Sequence, residues 1–200
     1  YVYGDLGLVY PIARGFSPLL LGFITVFWIG EELTLQMMSA IGLISLGIFS
    51  LMFPGKMSIK YTFRPIIYAL ATGSFIAAYT LADGVGVRAS GNAASYVLWL
   101  MALECLPLLG ITLILRKRAV FSSIHKNWKY AVPGGFLSLS AYWIVIWAMQ
   151  HAPIALVSAI RESSVVIAAL MSIWVLKEET TVKHLLSAVM VAAGVILTRL

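Results

Sequence analysis

Seven apolar stretches divide this chain, and each approaches the length that a helix needs to cross a bilayer. A hydrocarbon core about 30 Å thick takes roughly 20 residues of helix. The stretches are 8–29, 34–53, 65–82, 93–115, 130–149, 154–176 and 181–198. In the last, Lys183 and His184 fall in the first turn, where both can snorkel to the headgroups. Isolated strands cannot satisfy their backbone in lipid, so the pattern predicts an all-α polytopic membrane bundle with seven spans. The links at 30–33 and 150–153 are short enough to force antiparallel neighbours. Composition agrees. The 200 residues are 61% apolar and 11% charged, against about 45–50% and 25% in soluble domains. That balance excludes a soluble domain, a disordered chain and a nucleic-acid-binding module. A single cysteine, Cys105, excludes an intrachain disulfide, and His125, His151 and His184 show no ligand spacing. No metal and no cofactor are expected.

The net charge of +6 belongs to topology rather than to a polyanionic partner. By alternation, Lys56, Lys60, Arg64, Arg116, Lys117, Arg118, Lys126, Lys129, Lys177 and Lys183 share one side, and Arg88 and Arg199 the other. The positive-inside rule places the first group in the cytoplasm and the C-terminus outside. Small residues recur every four positions at Ala69, Gly73 and Ala77, at Gly134 and Ser138, and at Ala188 and Ala192. They read as helix-packing faces.

The chain also contains a repeat. A gap-free shift of 147 residues places Arg14 on Arg161, Ser17 on Ser164, Glu31 and Glu32 on Glu178 and Glu179, Thr34 on Thr181, and Gly47 on Gly194. Most of these identities are polar, in a chain where polar residues are scarce. The shift carries the first two spans onto the last two. An offset of five spans is odd, so equivalent helices cross in opposite directions, as in the inverted repeats of transporters. The repeat further predicts three more spans, roughly 80–90 residues, upstream of Tyr1.

Gly4-Asp5-Leu6, Val9-Tyr10-Pro11-Ile12-Ala13-Arg14-Gly15 and Pro18 resemble the fourth span of the EamA family, within the drug/metabolite transporter superfamily. Gly30-Glu31-Glu32-Leu33-Thr34 and Lys177-Glu178-Glu179-Thr180-Thr181 are similar to its two corresponding links, and Ala193-Gly194-Val195-Ile196-Leu197 to its last helix. The resemblance implies a ten-span protein of two five-span repeats. Residues 1–53 would be the last two spans of the first repeat, 54–64 a basic inter-repeat loop, and 65–200 the second repeat. It also implies a multi-pass protein of the bacterial inner (plasma) membrane, a secondary transporter that exports small metabolites such as amino acids or amphipathic compounds without ATP. Such a protein alternates access between two inverted halves. The family usually keeps both termini in the cytoplasm, which disagrees with the charge bias. The expected partners are a small-molecule substrate and the lipid bilayer, with no nucleic acid, and a homodimer stays open.

Charges inside spans cost about 2.5–3.5 kcal/mol each on insertion scales, so each needs a reason. Arg14 and Arg161 lie at matched depths and form a candidate cationic pair for a substrate carboxylate or phosphate; snorkelling is the plain alternative. Proline at position 18 removes one backbone bond at Arg14, predicting a kink or unwound turn and a site near Tyr10 to Pro18, with Ser17 inside it. Ser163 and Ser164 supply hydroxyls in the sixth span. Trp143 and Trp147 share a helix face that can line a cavity or meet lipid. Glu104 and Glu162 are the candidates for proton coupling, against a structural role. Adjacent helical positions diverge by about 100°, so Arg161 and Glu162 are not expected to pair. Trp128 and Tyr130 read as interfacial anchors, and Asp83, Asn92, His151 and the Glu31-Glu32 pair as cap and turn residues. No acid cluster or nucleophile–base set supports a membrane enzyme. A non-transporting subunit or a truncated remnant is the remaining alternative.

Overall fold

The computed structural model describes residues 6–52, 63–116, 118–176 and 182–198. Gly4, Asp5, Phe53 at the end of the second stretch, segment 54–62 of the expected basic loop, the Lys177 to Thr181 link and Arg199 lie outside the described residues. The described chain is helical, with no strand among the described residues. The helices are α1 (Leu6–Ile24), α2 (Leu35–Ser50), α3 (Phe63–Ser90), α4 (Ala93–Arg116), α5 (Arg118–His151), α6 (Ile154–Glu162), α7 (Ser164–Leu176) and α8 (Val182–Leu197). Five helical segments are long and apolar enough to span a membrane: Val9–Ile29, Phe63–Ser90, Ala93–Leu115, Lys126–His151 and Ile154–Met171. The second and seventh stretches form shorter helices. α2 and α8 have 16 residues each, about 24 Å at 1.5 Å per residue.

Four boundaries differ from expectation, each for a local reason. The chain does not unwind at Pro18: α1 runs through Pro11 and Pro18. A single missing donor releases only one carbonyl, and Pro18 is fully buried by its neighbours. α1 instead passes into a π-helical turn, Thr25–Ile29, which Gly30 closes at φ 76°, a left-handed value suited to glycine. The break in the sixth stretch falls at Ser163. Its hydroxyl donates to the Ile160 carbonyl at 2.6 Å, and its N–H reaches both Ala159 and Ile160 carbonyls, tightening the turn between α6 and α7. α3 continues past Ala82 to Ser90, so Asp83 is helical rather than a loop residue, and Gly91 (φ 66°) makes the turn. α5 begins within the basic stretch expected to be a loop, since no helix breaker precedes Pro133.

Packing divides the chain into two units, residues 1–82 with 152–200, and residues 83–151. In lipid, close approach rather than the hydrophobic effect holds helices together. In the first unit α2 and α8 run antiparallel, with Gln36 Nε2 donating to the Leu197 carbonyl at 2.7 Å. A β-carbon on Gly47 would lie 2.7 Å from Val191 Cγ2 and 3.2 Å from the Ser187 carbonyl. One on Gly194 would lie 2.7 Å from Ile44 Cγ1 and 3.1 Å from the Ala40 carbonyl. These contacts are reciprocal: at the 147-residue offset Gly47 matches Gly194, Ala40 matches Ser187, and Ile44 matches Val191. α1 packs on α2 and α6. Ala69, Gly73 and Ala77 are buried as a packing face, with Gly73 so close to α1 that a β-carbon would meet the Ala13 carbonyl at 2.8 Å. Gly134 and Ser138 are exposed, and in α8 the close contact falls on Ser187, Val191 and Gly194 rather than on Ala192.

Candidate functional site

The deep charges of the first unit meet at one carboxylate. Glu162, the last residue of α6, is fully buried. Its Oε2 accepts from Arg14 Nη1 of α1 at 2.8 Å. Its Oε1 accepts from Arg161 Nη2 at 3.0 Å and Nε at 3.2 Å. The expectation that Arg161 and Glu162 do not pair is therefore overturned. Although their Cβ directions diverge, the helix ends at Glu162 and the long arginine stem folds back across the last turn. Arg161 Nη2 also donates to Thr80 Oγ1 of α3 at 3.2 Å. Each guanidinium has an aromatic neighbour, Tyr10 with its ring centre 5.3 Å from Arg14 Cζ and Tyr79 at 5.8 Å from Arg161 Cζ. These are cation–π distances.

Two cations on one anion leave the group with net positive charge. The side chains of Arg14 and Arg161 are 32% and 19% exposed. One guanidinium pairing with a buried carboxylate satisfies it; the second provides charge beyond neutrality. Ser17 lies three residues beyond Arg14 on the same side of α1. Its hydroxyl is buried without a hydrogen-bond partner, as is that of Ser158 in α6. Ser164 begins α7 and is exposed.

Of the expected site residues, the structure thus joins Arg14, Arg161, Tyr10 and Glu162, with Ser17 one turn along α1. Tyr79 and Thr80 were not anticipated. Thr80 continues the face of Ala69, Gly73 and Ala77 by one helical step, the one sequence signal for it. Glu31 has a role beyond the turn: its carboxylate accepts the Ile154 N–H, at 3.1 and 3.2 Å to its two oxygens, and so caps α6.

The second unit holds the remaining candidates. Glu104 and Cys105 are exposed on α4. Trp143 and Trp147 share one face of α5, as expected, and line a shallow groove with Ser140 and Ile144. The Trp147 ring lies 4.8 Å from that of His151. Trp128 and Tyr130 are exposed, and Asn92 caps α4 by accepting the Ser95 N–H at 3.0 Å. Asp83 departs most from expectation. Read as a solvated turn residue, it is 6% exposed. It accepts hydrogen bonds from Tyr142 Oη at 2.6 Å and Tyr96 Oη at 3.1 Å.

Apolar helices of spanning length with an ion cluster buried among them define a multi-pass membrane protein whose polar centre lies inside its spans. The chain belongs to the EamA-like transporter family, whose sequence model matches residues 63–200, and so to the drug/metabolite transporter superfamily. That match includes Tyr79, Thr80, Arg161 and Glu162; Tyr10 and Arg14 lie upstream of it. No curated protein matches the chain. Membership in this non-enzymatic family fits a transporter and does not favour a non-transporting remnant.

Proposed function

We propose that the protein is a secondary transporter of the bacterial inner membrane. It exports small metabolites bearing a carboxylate, amino acids or amphipathic acids among them, by alternating access between two inverted halves. The observation that carries this reading is the convergence of Arg14 and Arg161 on the single carboxylate of Glu162. The two arginines occupy matched positions of the repeat, whereas Gly15 stands where the second half has Glu162. The repeat therefore supplies two cations and one anion. The unbalanced positive charge suits an anionic substrate group, which an arginine fork binds in two-point fashion. The unpartnered hydroxyl of Ser17 is a further donor for it, Ser164 a second, and Tyr10 flanks Arg14.

The inverted arrangement draws support from the α2–α8 crossing. A two-fold relation requires self-complementary contacts, and Gly47 and Gly194 meet equivalent residues of the opposite helix. Short helices at corresponding positions of two halves, here α2 and α8, also mark transporter centres.

Efflux tests the reading. Cells that produce the protein and are loaded with radiolabelled amino acids should lose label faster than control cells. Arg14→Ala or Arg161→Ala should abolish the difference while membrane insertion is retained. Unchanged efflux in both variants overturns the paired-arginine site.

A further inference from the structure

We propose that Asp83 is a proton-exchange site, taking up and releasing a proton inside the membrane-spanning part of α3. Its use as the coupling group rests on the transporter reading above; its proton binding does not.

The described acids inside spans differ in what holds them. Glu162 is clamped by two guanidiniums, which only donate hydrogen bonds and stay charged. Protonating it would leave both cations without a counter-charge, so it serves as a fixed anion. Glu104 is exposed on α4. Asp83 is buried, and the partners of its two oxygens are phenols, one from α4 and one from α5. A phenol both donates and accepts. When Asp83 is ionised, Tyr96 and Tyr142 donate to it. When it binds a proton, the new carboxylic O–H donates to one phenol oxygen, whose own hydrogen rotates away. The pocket satisfies both states with small rotations, which an arginine cage does not allow.

Two further observations fit this arrangement. Gly86 lies three residues beyond Asp83 on α3, and a β-carbon there would meet the Tyr96 ring at 2.6 Å and its hydroxyl at 2.8 Å. The glycine lets Tyr96 lie flush on the helix and reach the acid. Moreover, the two phenols leave no open side for a bulky cation on a group that is 6% exposed, so a proton fits where a substrate amine does not. Of the charged groups on the same elements, Arg88 of α3 donates its Nε hydrogen to the Met149 carbonyl at 3.0 Å, and Glu104 of α4 is exposed. The exchange balances simply: a proton from the aqueous phase on one side neutralises the carboxylate, and the same proton leaves to the other side when the pocket opens there.

Infrared difference spectra of the purified protein at high and low pH test proton binding directly. Acidification should raise a protonated-carboxyl C=O band that is missing in Asp83→Asn and retained in Glu104→Gln. Tyr142→Phe and Tyr96→Phe, which keep the carboxyl, should displace that band by removing one of its hydrogen bonds. Identical bands in the wild type and Asp83→Asn, or undisplaced bands in both Phe variants, overturn the inference. In vesicles, Asp83→Asn should lose accumulation of radiolabelled amino acids driven by a pH gradient yet keep their exchange at equal pH. Equal gradient-driven accumulation with and without Asp83 overturns the coupling role. If the wild type moves no amino acid under either condition, the transporter reading fails while the band still decides proton binding.

Discussion

Glu162 and Asp83 are both carboxylates buried among apolar helices, and their surroundings give them opposite characters. Glu162 sits between two arginines, so its charge is fixed and its role is to hold cations in place. Asp83 sits between two tyrosines, so its charge is free to change with little rearrangement. Burial alone therefore does not assign a role to an intramembrane acid; the donors around it do. A guanidinium makes an acid structural or substrate-orienting, and a phenol makes it exchangeable.

The largest expected effect comes from breaking the arginine cage. Glu162→Gln leaves two half-buried guanidiniums without a carboxylate and should cost up to about 3 kcal/mol, the lower end for breaking a buried pair, read as a large fall in thermal stability of the purified protein. The same change at Asp83, Asp83→Asn, removes a carboxylate from neutral partners and should cost clearly less. Similar losses in the two variants would erase the distinction drawn here. Next comes helix contact. Gly47→Leu and Gly194→Leu each force a side chain into an equivalent contact between α2 and α8, at a cost of about 1–3 kcal/mol for overpacking. The two losses should be alike, and a difference of several-fold would argue against a reciprocal crossing. Gly86→Ala should be milder in stability, because the displaced group is the far end of a tyrosine. Its mark should be the loss of the Tyr96–Asp83 hydrogen bond, about 1 kcal/mol, visible in the tyrosine and carboxyl vibrations. The smallest effect is expected at Glu31→Gln, which weakens the cap on α6. Faster amide hydrogen exchange at Ile154, with a stability loss of about 1 kcal/mol or less, is the expected outcome.

Much of the architecture was legible in the residues because bilayer thickness translates directly into run length. The long spans, 63–90, 93–115, 126–151 and 154–171 among them, follow from counting along the chain. Direction around each helix was not legible in the same way. The sequence places Glu162 beside Arg161 but does not show that the helix ends there, which is what lets the arginine turn back. It places Asp83 just past the apolar run that ends at Ala82, where a loop was expected. The helix continues there, and Tyr96 fills the space over Gly86. Tyr79 and Thr80 went unnoticed because uncharged residues in a span carry no cost that flags them, although the small-residue face leading to Thr80 was visible. At Pro18 the unwound turn does not form: a proline removes one hydrogen bond, and tight burial holds the helix together around it.

Exchange of radiolabelled amino acids across vesicles held at equal pH on both sides isolates the arginine site from any proton step. With insertion and folding verified, Arg161→Ala and Arg14→Ala should each slow exchange by about 10–100-fold, the range expected for loss of a charged hydrogen bond to substrate, while Asp83→Asn exchanges at close to the wild-type rate. Wild-type exchange in both arginine variants would contradict the account.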